Sequence, residues 1–193
     1  MTFLLYLFRK IFHFFFDVLE SIVVALAIFV VVYLFFFQPH QVKGASMEPN
    51  FHDGEYILTN KFEYRFSGPK RGDVIVFKSP ANPDVDYIKR IIGTPGERVK
   101  LANNHFYIND VMLEESYISP KLFTYHGSFL AENQEIIVPE ESYFVSGDNR
   151  PRSSDSREWG TIERSSIIGK SQLRYWPPDR AGIIKAEEYP NLP

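Results

Sequence analysis

Two side chains in this chain, those of Ser46 and Lys89, can together supply a nucleophile and a base. Ser46 lies within Gly44-Ala45-Ser46-Met47-Glu48-Pro49, and Lys89 follows 43 residues later within Tyr87-Ile88-Lys89-Arg90. A serine hydroxyl becomes a useful nucleophile when a base within hydrogen-bond reach takes its proton. A lysine amine serves as that base only after it has lost its own proton, which removal of the ammonium from water promotes. The two residues therefore predict nucleophilic catalysis by serine with lysine as the base.

The surroundings of Lys89 allow two interpretations. Side chains alternate between the two faces of a strand, so a strand over residues 87–92 places Tyr87, Lys89 and Ile91 on one face. That face is an apolar wall of the kind that lowers the pKa of a lysine. The other interpretation is an ordinary exposed lysine on an edge strand, and Ser46 taken alone is equally compatible with an ordinary turn residue. Other motifs in the sequence are needed to decide between a buried catalytic lysine and an exposed lysine.

The segment that precedes Ser46 is long and apolar enough to cross a membrane. Residues 18–37 are 20 residues of which only Glu20 and Ser21 are polar. As a helix that rises 1.5 Å per residue, this segment is about 30 Å long and matches the hydrocarbon core of a bilayer. Ser46 comes nine residues after Phe37, and nine residues span at most about 30 Å. The serine and its substrate are therefore expected close to a membrane surface.

The charges around this segment predict its orientation. Arg9 and Lys10 precede it, whereas only Lys43 follows closely, and positive residues favour the cytoplasmic side. A cleavable signal peptide that ends near Lys43 is the alternative, but the apolar run exceeds the roughly 7 to 15 residues typical of such peptides. The first 16 residues either lie along the membrane interface or extend the helix. We expect a cytoplasmic or interfacial segment, an uncleaved transmembrane anchor and an extracytoplasmic catalytic domain at residues 1–17, 18–37 and 38–193.

Composition and spacing exclude several other classes of site. The net charge of −3 provides no basic surface for nucleic acid, and the chain has no cysteine for a thiolate nucleophile or a cysteine zinc site. The five histidines show no zinc-ligand spacing, so neither a metal nor another cofactor is predicted. A nucleophile elbow would require G-x-S-x-G, and Glu48 stands where the second glycine belongs.

After Pro39 the sequence changes to short runs of β-branched and aromatic residues separated by turn residues. This pattern is typical of an all-β barrel or sandwich. Asn103-Asn104 tolerates positive φ and predicts a tight hairpin turn, and Asn109-Asp110 predicts a second turn. Residues 114–135 are expected to form a long excursion, and no long amphipathic helix is expected after residue 40. The predicted strands are 55–59, 73–78, 87–92, 99–102, 105–108, 111–113, 136–138, 143–145 and 167–174.

Four motifs, taken together, resemble those of the bacterial type I signal peptidases, which are membrane-anchored serine proteases that remove signal peptides from exported proteins. The resemblance extends from the anchor to about Gly169, and four motifs in the right order argue against a chance match. The motifs are Ser46-Met47-Glu48-Pro49, Arg71-Gly72-Asp73-Val74-Ile75-Val76-Phe77, Tyr87-Ile88-Lys89-Arg90-Ile91-Ile92-Gly93-Thr94-Pro95-Gly96, and Gly147-Asp148-Asn149-Arg150 followed by Ser153 and Asp155-Ser156-Arg157.

The resemblance implies a role for each of these residues. Ser46 corresponds to the nucleophile that attacks the scissile carbonyl, Lys89 to the general base, and Ser153 to the hydroxyl that orients the lysine. The backbone N–H of Ser46 would bind the oxyanion. Gly44 stands where some members carry a hydroxyl side chain, so the second oxyanion donor must come from elsewhere, and the Gly44 backbone is the candidate. The charged residues expected to brace the active-site loops are Asp148, Arg150, Asp155 and Arg157.

The resemblance also implies a fold and a mode of substrate binding. The fold is an antiparallel β-sheet domain with a conical barrel, in agreement with the strand pattern. The substrate would bind as an extended strand whose backbone pairs with residues 40–44 and 86–88. Small side chains at positions −1 and −3 of a signal peptide would fill shallow apolar pockets. The substrate-binding candidates are Val42, Met47, Phe51, Asp86, Tyr87 and Ile88.

The expected partners are preproteins that carry signal peptides and the lipid bilayer, with no nucleic acid, and the oligomeric state is left open. An aromatic surface near Phe51, Phe62, Tyr64 and Phe66 would rest on the lipid, although each of these side chains is equally compatible with the core.

Two other functional classes share parts of this pattern. A soluble self-cleaving repressor uses the same serine and lysine chemistry, but it requires a DNA-binding helix-turn-helix in place of the anchor, and none is visible. A membrane-anchored binding or scaffold protein without catalysis is the other class. Loss of Ser46, Lys89 or Ser153 would favour it, and all three are present.

Overall fold

The computed structural model describes residues 2–192, apart from the side chains of residues 2, 4, 5 and 34. It divides into an N-terminal helical unit and a β-rich unit that begins at Gln38. The helix, α1, runs without interruption over Thr2–Phe35. The first residues of the chain therefore extend the helix, which is one of the two arrangements that the sequence allows. Within α1, Tyr6–Tyr33 is apolar and long enough to cross a membrane by length and composition.

The described part of the β-rich unit contains twelve strands and one short helix, α2, at Ser156–Trp159. Each predicted strand is present, with its ends within two residues of those expected, and three further strands, β1, β10 and β12, were not predicted. The strands are β1 Phe37–Gln41, β2 Tyr56–Asn60, β3 Val74–Lys78, β4 Asp86–Gly93, β5 Arg98–Ala102, β6 His105–Ile108, β7 Val111–Met112, β8 Glu135–Ile137, β9 Ser142–Ser146, β10 Ile162–Glu163, β11 Ile167–Trp176 and β12 Gly182–Ile183.

The strands form two sheets. The larger has the order β1-β2-β11-β3-β4-β9-β10, with β12 paired to β11, and the smaller has the order β7-β6-β5-β8. The pairs formed by β2 to β12 are antiparallel. The predicted fold class, mainly β with antiparallel sheets and one N-terminal apolar helix, is confirmed.

Both predicted turns are present. Asn103 and Asn104 have φ of +50° and +66° and join β5 to β6, and Asn109 and Asp110 have φ of +50° and +69° and join β6 to β7. Asparagine and aspartate tolerate this left-handed region better than other residues with side chains. The turn chemistry therefore sets the register of the smaller sheet.

The strand β3 is buried on both faces, which explains its uninterrupted apolar run. Because side chains alternate along a strand, Val74 and Val76 enter an apolar cluster that includes Val42 and Met47, whereas Ile75 and Phe77 enter a second cluster. A third cluster covers the smaller sheet. In the larger sheet β3 pairs directly with β4 along its whole length. A rigid core strand therefore supports the strand that carries the lysine.

The long excursion predicted from the sequence is also present, since the described residues 114–134 contain no helix or strand. The excursion is nevertheless anchored. Leu130 is fully buried in the third apolar cluster, and the backbone N–H groups of Phe129 and Leu130 donate to the Arg157 carbonyl at 2.9 and 3.0 Å. This excursion therefore packs against α2 and its surroundings.

Candidate active site

Ser46 lies on a tight turn between β1 and β2. The Phe51 N–H donates to the Met47 carbonyl at 2.9 Å, and both of these apolar side chains are buried in the cluster beneath the turn. Ser46 itself is half-buried. The buried side chains that follow the serine hold the turn against the sheet, and this fixes the position of the hydroxyl.

Lys89 extends from β4 toward this turn, and its Nζ lies 2.8 Å from Ser46 Oγ. The Nζ also donates to the Ile88 carbonyl at 3.0 Å and lies 5.4 Å from the centre of the Tyr87 ring. Lys89 is only 4% exposed, so the interpretation as an exposed lysine on an edge strand is wrong. The structure brings together the serine and the lysine that the sequence indicated, at a distance that permits direct proton transfer.

Burial lowers the pKa of Lys89 from its ordinary value of 10.5 to about 8. Desolvation is the main cause, because it disfavours the charged ammonium. The carboxylates of Asp155 and Asp148 act in the opposite direction, and the Arg157 guanidinium lowers the pKa further. A large fraction of the amine is therefore neutral in mildly alkaline solution.

The loop that begins at Gly147 holds the Ser46 turn from the other side. The Asn149 backbone N–H donates to the Ser46 carbonyl at 3.0 Å, and the Asn149 side chain donates to the Ala45 carbonyl at 2.9 Å. Sequence analysis gave Asn149 no role of its own, although it lies inside one of the four motifs. Its two hydrogen bonds fix the backbone on both sides of Ser46.

Ser153 stands beside the loop without completing a hydrogen bond to the lysine. Its Oγ is buried and makes no hydrogen bond of good geometry in the described part of the chain, but it lies near enough to the Asp155 carboxylate to help lower the pKa of that group. It packs against Gly147 so tightly that a Cβ at Gly147 would lie 2.2 Å from Ser153 Oγ and 2.4 Å from the Ser46 carbonyl oxygen. The orientation of Lys89 by Ser153 stays a prediction.

The backbone N–H of Gly44 is already engaged. It donates to Asp53 Oδ1 at 2.7 Å, in a turn where Gly44 has φ of +81°. This donor is therefore occupied in the structure, and the role of Gly44 as the second oxyanion donor stays a prediction. The Ser46 N–H has no acceptor among residues 2–192, which leaves it available to a substrate.

A cavity of about 320 Å³ opens beside the serine and the lysine. Ile57 and Val76 form part of its apolar wall, and His40 and Ser154, which sequence analysis missed, also line it. His40 lies within residues 40–44, the segment predicted to pair with substrate. Its place in that segment could have identified it as a residue that lines the cavity. Four of the six substrate-binding candidates line the cavity, namely Val42, Asp86, Tyr87 and Ile88.

The other two candidates, Met47 and Phe51, do not line this cavity. Their side chains are 0% and 3% exposed and belong to the apolar core under the turn. The reason is the turn itself, which directs the side chains after Ser46 into the sheet. Phe51 is also too deeply buried to rest on lipid, whereas Phe62 and Phe66 are exposed.

The first half of β4 presents a free edge at the cavity. Residues 86–90 pair with β3, whereas β9 pairs with β4 on its other side only from Arg90 onward. In the structure as described, no strand covers residues 86–89 on that side. The strand β1 ends the larger sheet and also has a free edge. An extended peptide can add to such edges as a further strand.

Comparison with known proteins gives the family. A model of the family described as signal peptidase, peptidase S26, matches residues 15–176. The chain belongs to this peptidase family. Among S26 relatives, signal peptidase IB of Staphylococcus aureus strain Mu50 is 36% identical over 168 residues, which cover 81% of this chain and 87% of the relative.

Two further proteins are similar to this chain. A probable signal peptidase I-2 of Synechocystis sp. is 32% identical over 171 residues, which cover 86% of this chain and 75% of the relative. Among solved structures, a signal peptidase I from Enterococcus faecalis V583 is 35% identical and has a TM-score of 0.45, over 54% of this chain and 97% of the other.

In this S26 peptidase, Asp148 connects the serine turn to the lysine strand. Its carboxylate accepts hydrogen bonds from Arg90 at 2.9 and 2.7 Å and from the Asn50 side chain at 2.9 Å. Arg90 follows Lys89 on β4, and Asn50 belongs to the Ser46 turn. The Asp148 carboxylate is fully buried, and the guanidinium of Arg90 nearly so. The bracing role predicted for Asp148 therefore has a geometric basis.

Asp155 fixes the same S26 loop from within. It accepts hydrogen bonds from Ser146 Oγ at 2.9 Å, from the Gly147 N–H at 3.0 Å and from Arg157 Nε at 2.8 Å. Burial alone would raise the pKa of Asp155, but the charge and hydrogen bonds of Arg157 and the Gly147 N–H hold it below its ordinary value. The carboxylate therefore stays ionised and the loop keeps its shape at neutral pH.

Arg150 is fully buried, and its partner lies far away in the sequence. Its Nη1 donates to Glu115 Oε2 at 2.8 Å, and its Nε donates to the Gly147 carbonyl at 3.0 Å. Glu115 belongs to the excursion, to which sequence analysis gave no function. A buried arginine requires a carboxylate or several acceptors, and Glu115 supplies the carboxylate, but no signal in the sequence identified it.

Proposed function

We propose that this S26 peptidase is a membrane-anchored serine endopeptidase that removes signal peptides from exported preproteins, with Ser46 as nucleophile and Lys89 as general base. The observation that carries the proposal is the distance of 2.8 Å between Lys89 Nζ and Ser46 Oγ, with the lysine buried and its pKa lowered. The substrate class is inferred from the relatives, which are named signal peptidases.

The first half of the proposed reaction forms an ester. The neutral amine of Lys89 accepts the hydroxyl proton while Ser46 Oγ attacks the carbonyl carbon of substrate residue −1. The new C–O bond moves an electron pair onto the carbonyl oxygen. When the carbonyl re-forms, the C–N bond breaks, and the amine of the mature protein leaves with the proton held by Lys89. The signal peptide then remains attached to Ser46.

The second half of the proposed reaction hydrolyses this ester. Lys89, neutral again, takes a proton from a water molecule whose oxygen attacks the ester carbon. Collapse of the second tetrahedral intermediate breaks the bond to Ser46, and the serine oxygen recovers the proton from Lys89. The signal peptide leaves with a C-terminal carboxyl group, and both residues return to their starting state.

The oxyanion of each intermediate would be bound by the backbone N–H of Ser46. This donor needs no rearrangement as charge develops, and one such donor is worth about 10²- to 10³-fold in rate. The second donor is left unassigned, because the Gly44 N–H donates to Asp53. Ser153 is proposed to orient the Lys89 amine, a role supported by the position of its buried hydroxyl beside the active-site loop.

The substrate backbone would add as a strand between residues 40–44 and 86–88. The free edges of β1 and β4 support this arrangement. The cavity lined by Val42, Tyr87 and Ile88 would receive the small side chains of a cleavage site.

The anchor would place this chemistry at the bacterial cytoplasmic membrane. We propose that residues 18–37 cross the membrane once, with residues 1–17 cytoplasmic and residues 38–193 extracytoplasmic. The supporting observations are the apolar character of Tyr6–Tyr33 and the positions of Arg9 and Lys10 before the most apolar part.

The test uses the full chain in detergent and a preprotein with an Ala-x-Ala cleavage site. Ser46→Ala and Lys89→Met are compared with Ser165→Ala and Lys121→Met, which make the same changes at exposed residues outside the site. We expect the parent and both controls to cut after the final alanine and both site variants to be inert, with all circular dichroism spectra alike.

Two results would reject parts of the proposal. If Lys89→Met cuts as fast as the parent, the base lies elsewhere and the proposed mechanism fails. If the parent cuts no preprotein although it is folded, a membrane-anchored binding or scaffold protein becomes the better description of this chain.

A further inference from the structure

Tyr117, in the excursion to which sequence analysis gave no function, contacts both halves of the active site. The Tyr117 carbonyl accepts a hydrogen bond from Asn50 Nδ2 at 3.0 Å. The centre of the Tyr117 ring lies 4.2 Å from Cζ of the Arg90 guanidinium. Asn50 belongs to the turn that carries Ser46, and Arg90 follows Lys89 on β4. Tyr117 therefore connects the serine turn to the lysine strand.

Three neighbours fix the hydroxyl group of Tyr117. It donates to the Glu115 carboxylate and accepts hydrogen bonds from Arg150 Nη2 at 2.9 Å and from the Tyr189 hydroxyl at 3.3 Å. Burial raises the pKa of Tyr117 well above its ordinary value of 10 and that of Tyr189 to about 12. Both hydroxyl groups therefore keep their protons, and with them these contacts, at the alkaline pH at which Lys89 is neutral.

Tyr189 belongs to the C-terminal tail, which we define as the described residues after β12. Its side chain is buried, and its ring meets the Tyr117 ring edge to face with 6.4 Å between the ring centres. The Glu187 N–H of the same tail donates to the Gly72 carbonyl at 3.3 Å, and this carbonyl also accepts from Arg90 Nη1 at 3.0 Å. A Cβ at Gly72 would lie 2.0 Å from the Glu187 carbonyl oxygen. The tail thus packs closely against the groups that surround Arg90.

The Tyr117 ring restrains Arg90 in a direction that its hydrogen bonds do not. The nearly fully buried guanidinium donates to the Asp148 carboxylate and to the Gly72 carbonyl. The N–H groups of a guanidinium all lie in its plane, so these bonds mainly restrain motion within the plane. An aromatic ring over the face of the guanidinium is a cation–π contact, which is strongest where water is excluded. The ring therefore restrains motion perpendicular to the plane.

We infer that Tyr117, supported by Tyr189 of the tail, is a positioning residue for the proposed reaction. It holds the turn of Ser46 and the strand of Lys89 at the distance that proton transfer requires. The inference rests on the proposed function. No described residue of the excursion or of the tail lines the cavity beside the serine and the lysine, so Tyr117 acts on the reacting groups and not on the binding of substrate.

The experiment measures kcat and KM for an Ala-x-Ala peptide at pH 9 with the full chain in detergent. Tyr117→Leu removes the ring and the hydroxyl group but keeps the backbone carbonyl. We expect kcat to fall about tenfold to hundredfold, because a small displacement of the reacting groups is costly, and KM to stay that of the parent. Tyr117→Phe keeps the ring over Arg90, and we expect a kcat close to that of the parent. Tyr189→Leu removes the support of the ring, and we expect a smaller fall in kcat, again with the parent KM.

Two control variants separate positioning from loss of stability. Tyr125→Leu makes the same change at a tyrosine of the excursion that is 57% exposed, and we expect it to keep the parent kcat. Leu101→Ala opens a cavity in the third apolar cluster, on β5 of the smaller sheet, and lowers the melting temperature. We expect it to keep the parent kcat and KM as well. Thermal unfolding followed by circular dichroism sets an assay temperature at which every variant is folded.

The outcomes separate this inference from the proposed function. The parent kcat in Tyr117→Leu overturns the inference, and so does an equal fall in kcat in Leu101→Ala, because the effect would then follow stability. A rise in KM at the parent kcat would assign Tyr117 to substrate binding and also overturns it. If Tyr117→Leu does not fold, Tyr189→Leu decides, and the parent kcat in that variant overturns the inference. A parent chain that cuts no Ala-x-Ala peptide refutes the proposed function, and the inference falls with it.

Discussion

The pH dependence of cleavage tests the central feature of the proposed mechanism, in which Lys89 must lose a proton before it can accept one from Ser46. With a pKa of about 8, about one tenth of the amine is neutral at pH 7, about half at pH 8 and about nine tenths at pH 9. At the ordinary value of 10.5, only about 0.3% would be neutral at pH 8. We therefore expect kcat/KM to rise about tenfold from pH 7 to pH 9 and then to level off.

The assay measures kcat/KM for an uncharged Ala-x-Ala peptide between pH 6 and pH 11, because this quantity reports the ionisation of the free enzyme. Circular dichroism at each pH controls for loss of structure. A profile that is flat across the range would exclude Lys89 as the base. A rise that is centred near pH 10.5 would show that the buried position of the lysine does not lower its pKa.

The same pKa shift predicts a change in stability with pH. Because the folded pKa of Lys89 lies below the unfolded value, the unfolded chain binds the extra proton between pH 8 and 10.5, and stability rises with pH in this window. A shift from 10.5 to about 8 corresponds to about 3 kcal/mol in the free energy of unfolding. Chemical denaturation at pH 7.5 and pH 10.5, followed by the fluorescence of Trp159 and Trp176, should show this gain in the parent relative to Lys89→Met. Equal pH dependence in the two proteins would refute it.

Two further substitutions test the loop that holds the site. Gly147→Ala would place a Cβ 2.4 Å from the Ser46 carbonyl oxygen. We therefore expect kcat/KM to fall about 10²-fold, because the proposed nucleophile is misplaced. The control, Gly182→Ala, adds a Cβ in open space and should keep the parent value. Asp148→Ala leaves the buried Arg90 without its carboxylate partner. We therefore expect chemical denaturation to show a loss of about 3–5 kcal/mol in the free energy of unfolding. A loss below about 1 kcal/mol would contradict the bracing role of Asp148.

Local patterns account for the parts of the fold that sequence analysis predicted. The strands were recognisable because β-branched and aromatic runs alternate with turn residues, and the hairpins because Asn103-Asn104 and Asn109-Asp110 tolerate positive φ. The strand β1 escaped prediction because it contains Pro39 and follows directly on the helix. Proline is tolerated in a strand at the edge of a sheet, and β1 occupies that position.

The parts of the site that depend on distant pairings were not predictable in this way. The residue type of Asp53 does not reveal that its carboxylate engages the Gly44 N–H, and nothing in the excursion indicates that Glu115 meets Arg150, 35 residues away. Met47 was a candidate for the substrate pocket, but the turn directs its side chain into the core. Each of these outcomes depends on the three-dimensional path of the backbone, which local sequence patterns do not reveal.

Buried charged residues, and not Ser46 and Lys89 themselves, control the position of the proposed base relative to the proposed nucleophile. A contact of 2.8 Å between a turn and a strand would vary if the turn moved freely. The loop that starts at Gly147 prevents this at two places: Asn149 binds the backbone of the Ser46 turn, and Asp148 binds Arg90, the neighbour of Lys89.

A buried ion pair contributes little net stability, because the cost of desolvation offsets the attraction between the charges. Removal of one partner is costly, however, because it leaves a buried charge without a partner. Each buried pair therefore restrains the chain to the geometry that keeps the two charges together. In this chain the Asp148 and Asp155 carboxylates also oppose the lowering of the pKa of Lys89. The acids that fix the distance between Lys89 and Ser46 thus also limit how far burial lowers the pKa of the lysine, and in the proposed mechanism this keeps Lys89 basic enough to deprotonate a hydroxyl group.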